Sequence, residues 1–176
     1  MKSKNISFLL LLIVLYCSQN YKEKRREWAI QYRNQIQQNF QGFSSIEDLI
    51  QNFLKDMISG QDVGSYFLSK DEYLKIYWAN EDWERIYDKG MTLENAWNVY
   101  ELIYTKNKIK WSNHLKNKKI EFLSYDVENI KDLGSSKIYK IHKIRIKENQ
   151  KEFDLFLVKY IIQHNEKFKI LSLYEL

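Results

Sequence analysis

The sequence predicts an α+β fold, with helices of the N-terminal half packed on one face of a curved, cone-like, four-stranded antiparallel meander sheet formed by the C-terminal half. Two observations carry this prediction. Between residues 44 and 111 apolar side chains recur at steps of three and four, the period of a helix with one buried face. From Lys118 onward the runs are instead rich in Ile, Val, Phe and Tyr and are separated by short polar breaks, the pattern of strands joined by hairpins. Helices first and antiparallel strands after them make an α+β arrangement rather than alternating βα units. A third observation fixes the boundaries: residues 1–16 read as a signal peptide, 17–43 as a lipid-anchored tether and lead helix, and 44–176 as the α+β domain.

The leader has Lys2 and Lys4 ahead of the apolar run Ile6 to Tyr16. A secretory signal carries an apolar core of roughly 7 to 15 residues, whereas a membrane-spanning helix needs about 20. Ser18, Gln19 and Asn20 stop the run short of a span. Cys17, the only cysteine, stands where the run ends and is the expected lipid attachment point. The series Ile13, Val14, Leu15, Tyr16, Cys17 resembles a lipobox of the loose kind found in spirochaete lipoproteins, with Tyr16 in place of the usual small residue. The resemblance implies an exported bacterial lipoprotein held in the cell envelope by its membrane anchor. A plain secretory signal cut near Ser18 is the alternative, and it gives a secreted or periplasmic soluble protein.

Without the leader about 160 residues remain, one ordinary domain. Loss of Lys2 and Lys4 leaves 26 basic against 23 acidic residues, about +3, which gives no general reason to expect nucleic acid. Basic residues collect at Lys22, Lys24, Arg25 and Arg26, and again through Lys106, Lys108, Lys110, Lys116, Lys118 and Lys119. Such runs suit a phosphate or lipid headgroup, and equally a solvated face. With no cysteine after Cys17, neither a disulfide nor a thiolate metal site can form in the body of the chain.

In order, Trp28, Tyr32, Ile36 and Phe40 recur every fourth residue and give the lead helix one narrow apolar stripe, closed at Gly42. Ser44 and Ser45, each with an acid three residues on, offer the next N-terminus. Ile46, Leu49, Ile50, Phe53, Leu54, Met57 and Ile58 then form the clearest amphipathic helix, ended by Gly60. Ser69 and Glu72 form a second capping box ahead of Tyr73, Ile76 and Tyr77. A short helical turn through Trp83, Ile86 and Tyr87 ends at Gly90. Thr92 caps a helix carrying Leu93, Ala96, Trp97, Tyr100, Ile103 and Tyr104 to about Trp111.

The expected strands are Ile120 to Val127, Lys137 to Lys147, Lys151 to Gln163 and Lys167 to Tyr174. Asp132 to Ser136 form the first loop, and Glu148 to Gln150 and His164 to Glu166 form tight turns. In the second strand Tyr139 and Ile141 share one face while Ile138, Ile144 and Ile146 share the other, so a bulge near His142 or Lys143 is expected. The third strand is apolar on both faces and should be central.

The helix ending in Ile58, Ser59, Gly60, Gln61 and Asp62, the segment Phe67 to Tyr73, and the terminal strand with Lys167 to Ile170 together resemble the nuclear transport factor 2-like superfamily, over residues 44–176. A cystatin-like or other α+β sheet domain is the alternative. The resemblance implies a curved sheet around an apolar cavity, used by some members for ligands and by others for isomerase or dehydratase chemistry. Fold alone does not carry function.

Among titratable residues His142 is the best catalytic candidate, because histidine exchanges a proton near neutral pH, with Asp62 or Asp126 as a possible helper. A histidine on the polar face of a strand is the simpler account. His114 and His164 fall in polar breaks and are expected to be solvated, and no metal site or cofactor is predicted. No glycine-rich phosphate loop and no Gly-x-Ser-x-Gly elbow occurs. Trp78, Trp97, Tyr100 and Tyr139 are candidates to line a ligand pocket, and they are also ordinary core residues at helical spacing. The expected function is therefore binding of a small apolar ligand or a protein partner by an anchored domain, without catalysis. A cavity enzyme on the same fold and a surface protein in structural or host contact are the alternatives.

Overall fold

A computed structural model describes residues 40–78 and 93–176. The leader, Cys17, the lead helix up to residue 39, the turn around Trp83 to Tyr87, and the Gly90 and Thr92 signals lie outside the described residues. Among the described residues the fold is α+β, with three helices and a five-stranded antiparallel open sheet.

Helix α1 (Ile46–Ser59) opens at Ser45, whose hydroxyl accepts from the Asp48 amide at 3.0 Å. It closes at Gly60, where φ is 72° and the amides of Gly60 and Gln61 return to the carbonyls of Met57 and Asp56. A left-handed residue at that point satisfies carbonyls the helix leaves open, and only glycine adopts it without steric cost. Its apolar face, Ile46, Leu49, Ile50, Phe53, Leu54 and Met57, is buried throughout.

After a single 3-10 turn (Gly64–Tyr66), the Ser69 and Glu72 capping box opens the short helix α2 (Lys70–Glu72). The chain then widens into a π turn (Tyr73–Tyr77). Such turns occur where packing or function requires a local change of helical phase. Helix α3 (Leu93–Leu115) runs one turn beyond the end expected from its apolar pattern.

The strands are β1 (Ile120–Asp132), β2 (Ser136–Glu148), β3 (Lys151–Leu155), β4 (Val158–His164) and β5 (Lys167–Leu173). Four strands were expected and five form, because the third run divides at Phe156 and Leu157. The cause is on β2. Asp126 of β1 pairs with Lys143 and Val127 with Ile141, so His142 is the extra residue of a bulge. One half of β2, Ser136 to Lys140, pairs with β4, and the other, Ile144 to Glu148, pairs with β3. A bulge bends and twists its strand, so a straight neighbour cannot stay bonded to both halves. Tyr174 stabilises the bend: its hydroxyl donates to Ile141 O at 3.1 Å and its amide to Leu157 O at 2.9 Å.

Both hairpin turns have two residues with positive φ, Asn149 with Gln150 and Asn165 with Glu166, the twist that matches antiparallel strands. The β4 strand lies between β2 and β5, as its two-faced apolar pattern requires. The outer edge of β5 is met by Phe43 and Phe67, through an antiparallel bridge to Phe168 and a parallel bridge to Ile170. Gly42 serves this contact, since a Cβ there would lie 2.7 Å from Phe168 O. The lead helix it was expected to close lies outside the described residues.

Helices on one face of the sheet were expected, but the structure buries both faces. The first cluster joins α1 and the C-terminal end of α3 (Trp111, Leu115) to Ile141, Ile144, Ile146, Leu157, Ile161 and Ile170. A second joins Phe40, Leu68, Tyr73, Ile76, Trp78, Ala96 and Trp97 to Ile138, Ile162 and Leu171. Ile161 and Ile162 are adjacent in one strand and so point to opposite faces. Tyr104 of α3 packs against both clusters.

Candidate functional site

A groove of about 340 Å³ opens over the second cluster, lined by Tyr77, Asn129, Lys131, Ile138, Lys140, Tyr160 and Leu171. Each wall follows from a local feature of the chain. Ile138 and Leu171 are buried and give an apolar floor. Tyr77 stands at the end of the π turn, and Tyr160 faces the same side of the sheet from β4. Asn129 and Lys131, on the exposed half of β1, form the outer rim with Lys140 of β2.

The rim is charged. Glu128 is an extra residue on β1 where Val127 pairs with Ile141 and Asn129 with Lys140. Its carboxylate accepts from Lys140 Nζ at 2.6 Å. That hydrogen bond, against a smaller desolvation effect, raises the Lys140 pKa above its ordinary value. Lys140 is therefore held as an ammonium paired with Glu128 rather than as a base.

Behind the groove the second cluster is laced with polar groups. Lys169 donates to both oxygens of Glu72 at 2.9 Å, with both side chains largely buried, and its ammonium lies 5.5 Å from the centre of the Phe40 ring. Tyr73 stacks on Tyr100 at 4.1 Å, and the buried Tyr100 hydroxyl has no hydrogen-bond partner. Burial, then the neighbouring Tyr73 and Tyr104, raise the Tyr100 pKa well above its ordinary value.

Ser136 and His164 form a second polar pair, Oγ to Nδ1 at 2.8 Å, both buried. Nδ1 also lies 3.1 Å from Ser135 O, and Phe40 meets the ring edge-on. Burial lowers the His164 pKa, partly opposed by the Ser135 carbonyl. The ring is thus neutral, with Nδ1–H toward Ser135 and Nε2 left as a buried acceptor without a partner. His164 was expected to be solvated and is not. It follows Ile162 by two residues, so strand alternation places it on the same face, and that signal was available in the sequence.

The remaining sequence candidates are dispersed. His142 is 54% exposed in its side chain, 3.9 Å from Glu128 and edge-on to Phe156, and lines no part of the groove. His114 is exposed beside Trp111. Trp78 and Trp97 are buried in the second cluster, and Tyr100 packs against it with its ring 5.5 Å from that of Trp97. Tyr139 lies with the first cluster and donates to Gln163 at 2.7 Å. Among the described residues no group of His, Cys, Asp and Glu is arranged to hold a metal ion, and no helix is long and apolar enough to cross a membrane. No family model, no curated protein and no solved structure matches the chain.

Proposed function

We propose that the chain is an exported, Cys17-anchored envelope lipoprotein whose domain, of the nuclear transport factor 2-like kind, holds a small ligand of largely apolar body in the groove beside Tyr77. The observation that carries this reading is the groove itself: a floor of buried Ile138 and Leu171, aromatic walls from Tyr77 and Tyr160, and a charged rim on one side only. Pockets that take small molecules combine such apolar lining with a few placed polar groups. The helical segment followed by a sheet, with the apolar leader ahead of it, supports the same reading. Catalysis is not part of it, since His142 stands exposed on a bulge and lines no part of the groove.

The test is the mass of the native protein extracted from its membrane. A chain starting at Cys17 with added acyl mass is expected, together with a bound small molecule that is lost when Ile138→Phe fills the groove floor. A mature chain that starts after Cys17 removes the anchor. Wild type carrying no ligand, or the same ligand retained by the filled variant, removes the groove.

A further inference from the structure

Helix α3 has two apolar sides. One is core: Ala96, Trp97, Trp111 and Leu115 are buried. On the opposite side Val99, Leu102, Ile103 and Ile109 are 45%, 70%, 51% and 53% exposed. At 3.6 residues per turn, positions 99, 102, 103, 106, 109, 110 and 113 form one continuous face, and Lys116 follows just past the helix end. That face is aliphatic at its start and basic toward its end, through Lys106 and Lys110. From residue 106 to 119 there are lysines but no Asp or Glu. Lys106 pairs with Glu175 at 3.2 Å, and Lys110 donates to Leu176 O at 3.0 Å.

A surface helix ordinarily carries polar residues on its outer side, and a contiguous exposed apolar patch marks a place of contact. The composition selects the partner. Protein interfaces are enriched in aromatic residues and arginine and depleted in lysine, whereas this face has Val, Leu and Ile with Lys and neither Arg nor an aromatic ring. Aliphatic side chains that enter the acyl boundary, bordered by lysines whose stems lie along it and whose ammonium groups reach phosphate, are the features of a helix lying in a membrane surface.

We propose that the outward face of α3, Val99, Leu102, Ile103 and Ile109 with the lysines that follow, rests on an anionic lipid bilayer. This inference is independent of the groove. A single lipid chain binds membranes reversibly and stable attachment takes a second signal, a role α3 would fill beside an acylated Cys17.

The test uses the full chain with Cys17→Ser, so that a single cysteine introduced as Leu102→Cys can carry an environment-sensitive fluorophore. Glu152→Cys, on the exposed β3 strand, serves as the control position. With phosphatidylcholine vesicles containing phosphatidylglycerol, the label at 102 is expected to shift to the blue and to be quenched by spin-labelled lipid, while the label at 152 stays aqueous. Lys116→Gln with Lys119→Gln is expected to lower partitioning onto these vesicles at least about tenfold, at about 1 kcal/mol per lysine, with little effect on purely phosphatidylcholine vesicles. The proposal falls if the chain sediments with vesicles through its apolar leader while the label at 102 remains aqueous. It falls equally if that label is shielded before vesicles are added. Shielding that depends on protein concentration would identify a second copy as the occupant, and shielding that does not would identify the N-terminal segment.

Discussion

The two hydrophobic clusters differ in kind. In the first, the buried polar tips are answered: the Tyr66 hydroxyl donates to Asp56 at 2.5 Å and the Trp111 indole donates to Tyr174 O at 2.8 Å. In the second, the Tyr100 hydroxyl and His164 Nε2 are buried without partners, and a lysine and a glutamate are held nearly out of water. An unpaired buried polar group costs about 1 to 3 kcal/mol. Such a cost is tolerated only where the rest of the fold supplies stability, which here is the aliphatic cluster between α1 and the sheet. The division teaches where to look for function, because the groove opens over the cluster that is less well satisfied.

The largest effect expected is in the first cluster. Phe53 is fully buried against Tyr66 and Phe67, and Phe53→Ala should lower stability by about 3 to 5 kcal/mol in chemical denaturation. A loss under about 1 kcal/mol would show that this cluster does not carry the fold.

Next comes the ion pair of the second cluster. Lys169→Met leaves Glu72 buried without its cation and should cost about 3 kcal/mol. Adding Glu72→Gln to that variant should recover most of the loss, since a neutral amide needs less compensation than a carboxylate. An equal loss in the double variant would assign the effect to packing around Phe40 instead.

His164 makes the second cluster sensitive to acid. Unfolded histidine takes a proton at about pH 6.5, and the folded pKa is lower. Below about pH 6.5 the unfolded state therefore holds more protons, and stability falls with pH until the folded pKa is passed. The fall in melting temperature between about pH 7.5 and about pH 5.5 should be smaller in His164→Gln than in wild type. Equal slopes would place the acid sensitivity in the carboxylates.

The smallest effect expected is at Tyr100. Tyr100→Phe removes an unanswered hydroxyl and should leave stability unchanged or raise it by about 1 kcal/mol. A loss above that would mean the hydroxyl has a bonded water, and the contrast between the clusters would narrow.

Much of the fold was legible because it is written in local chemistry. Ser45, Ser69 and Glu72 cap where a hydroxyl and an acid three residues on can reach exposed amides. The bulge at His142 follows from the break in alternation along β2, and the hairpin turns from their polar residues. The candidate site was much less legible. Tyr77, Lys140 and Tyr160 come from three separate elements, and no periodicity links them. Trp78, Trp97 and Tyr100 looked like pocket residues by chemistry, yet they meet as core because the π turn and α3 press together over the second face of the sheet. The outer side of α3 was masked in the sequence by its inner side, since a helix apolar on both sides has no clear stripe.

The sequence by itself determined α1 and α3, the caps at Ser45, Gly60 and Ser69, the change to strands near Lys118, the turns and the central place of β4, because each depends on neighbours a few residues apart. Only the tertiary structure decided that the third run splits into β3 and β4, that both faces of the sheet are buried, and that His164 is dry while His142 is wet. Those outcomes depend on how bent and twisted surfaces meet. A bulge at one residue redirects strands far away in the chain, and burial is a property of the assembled surfaces rather than of any single segment.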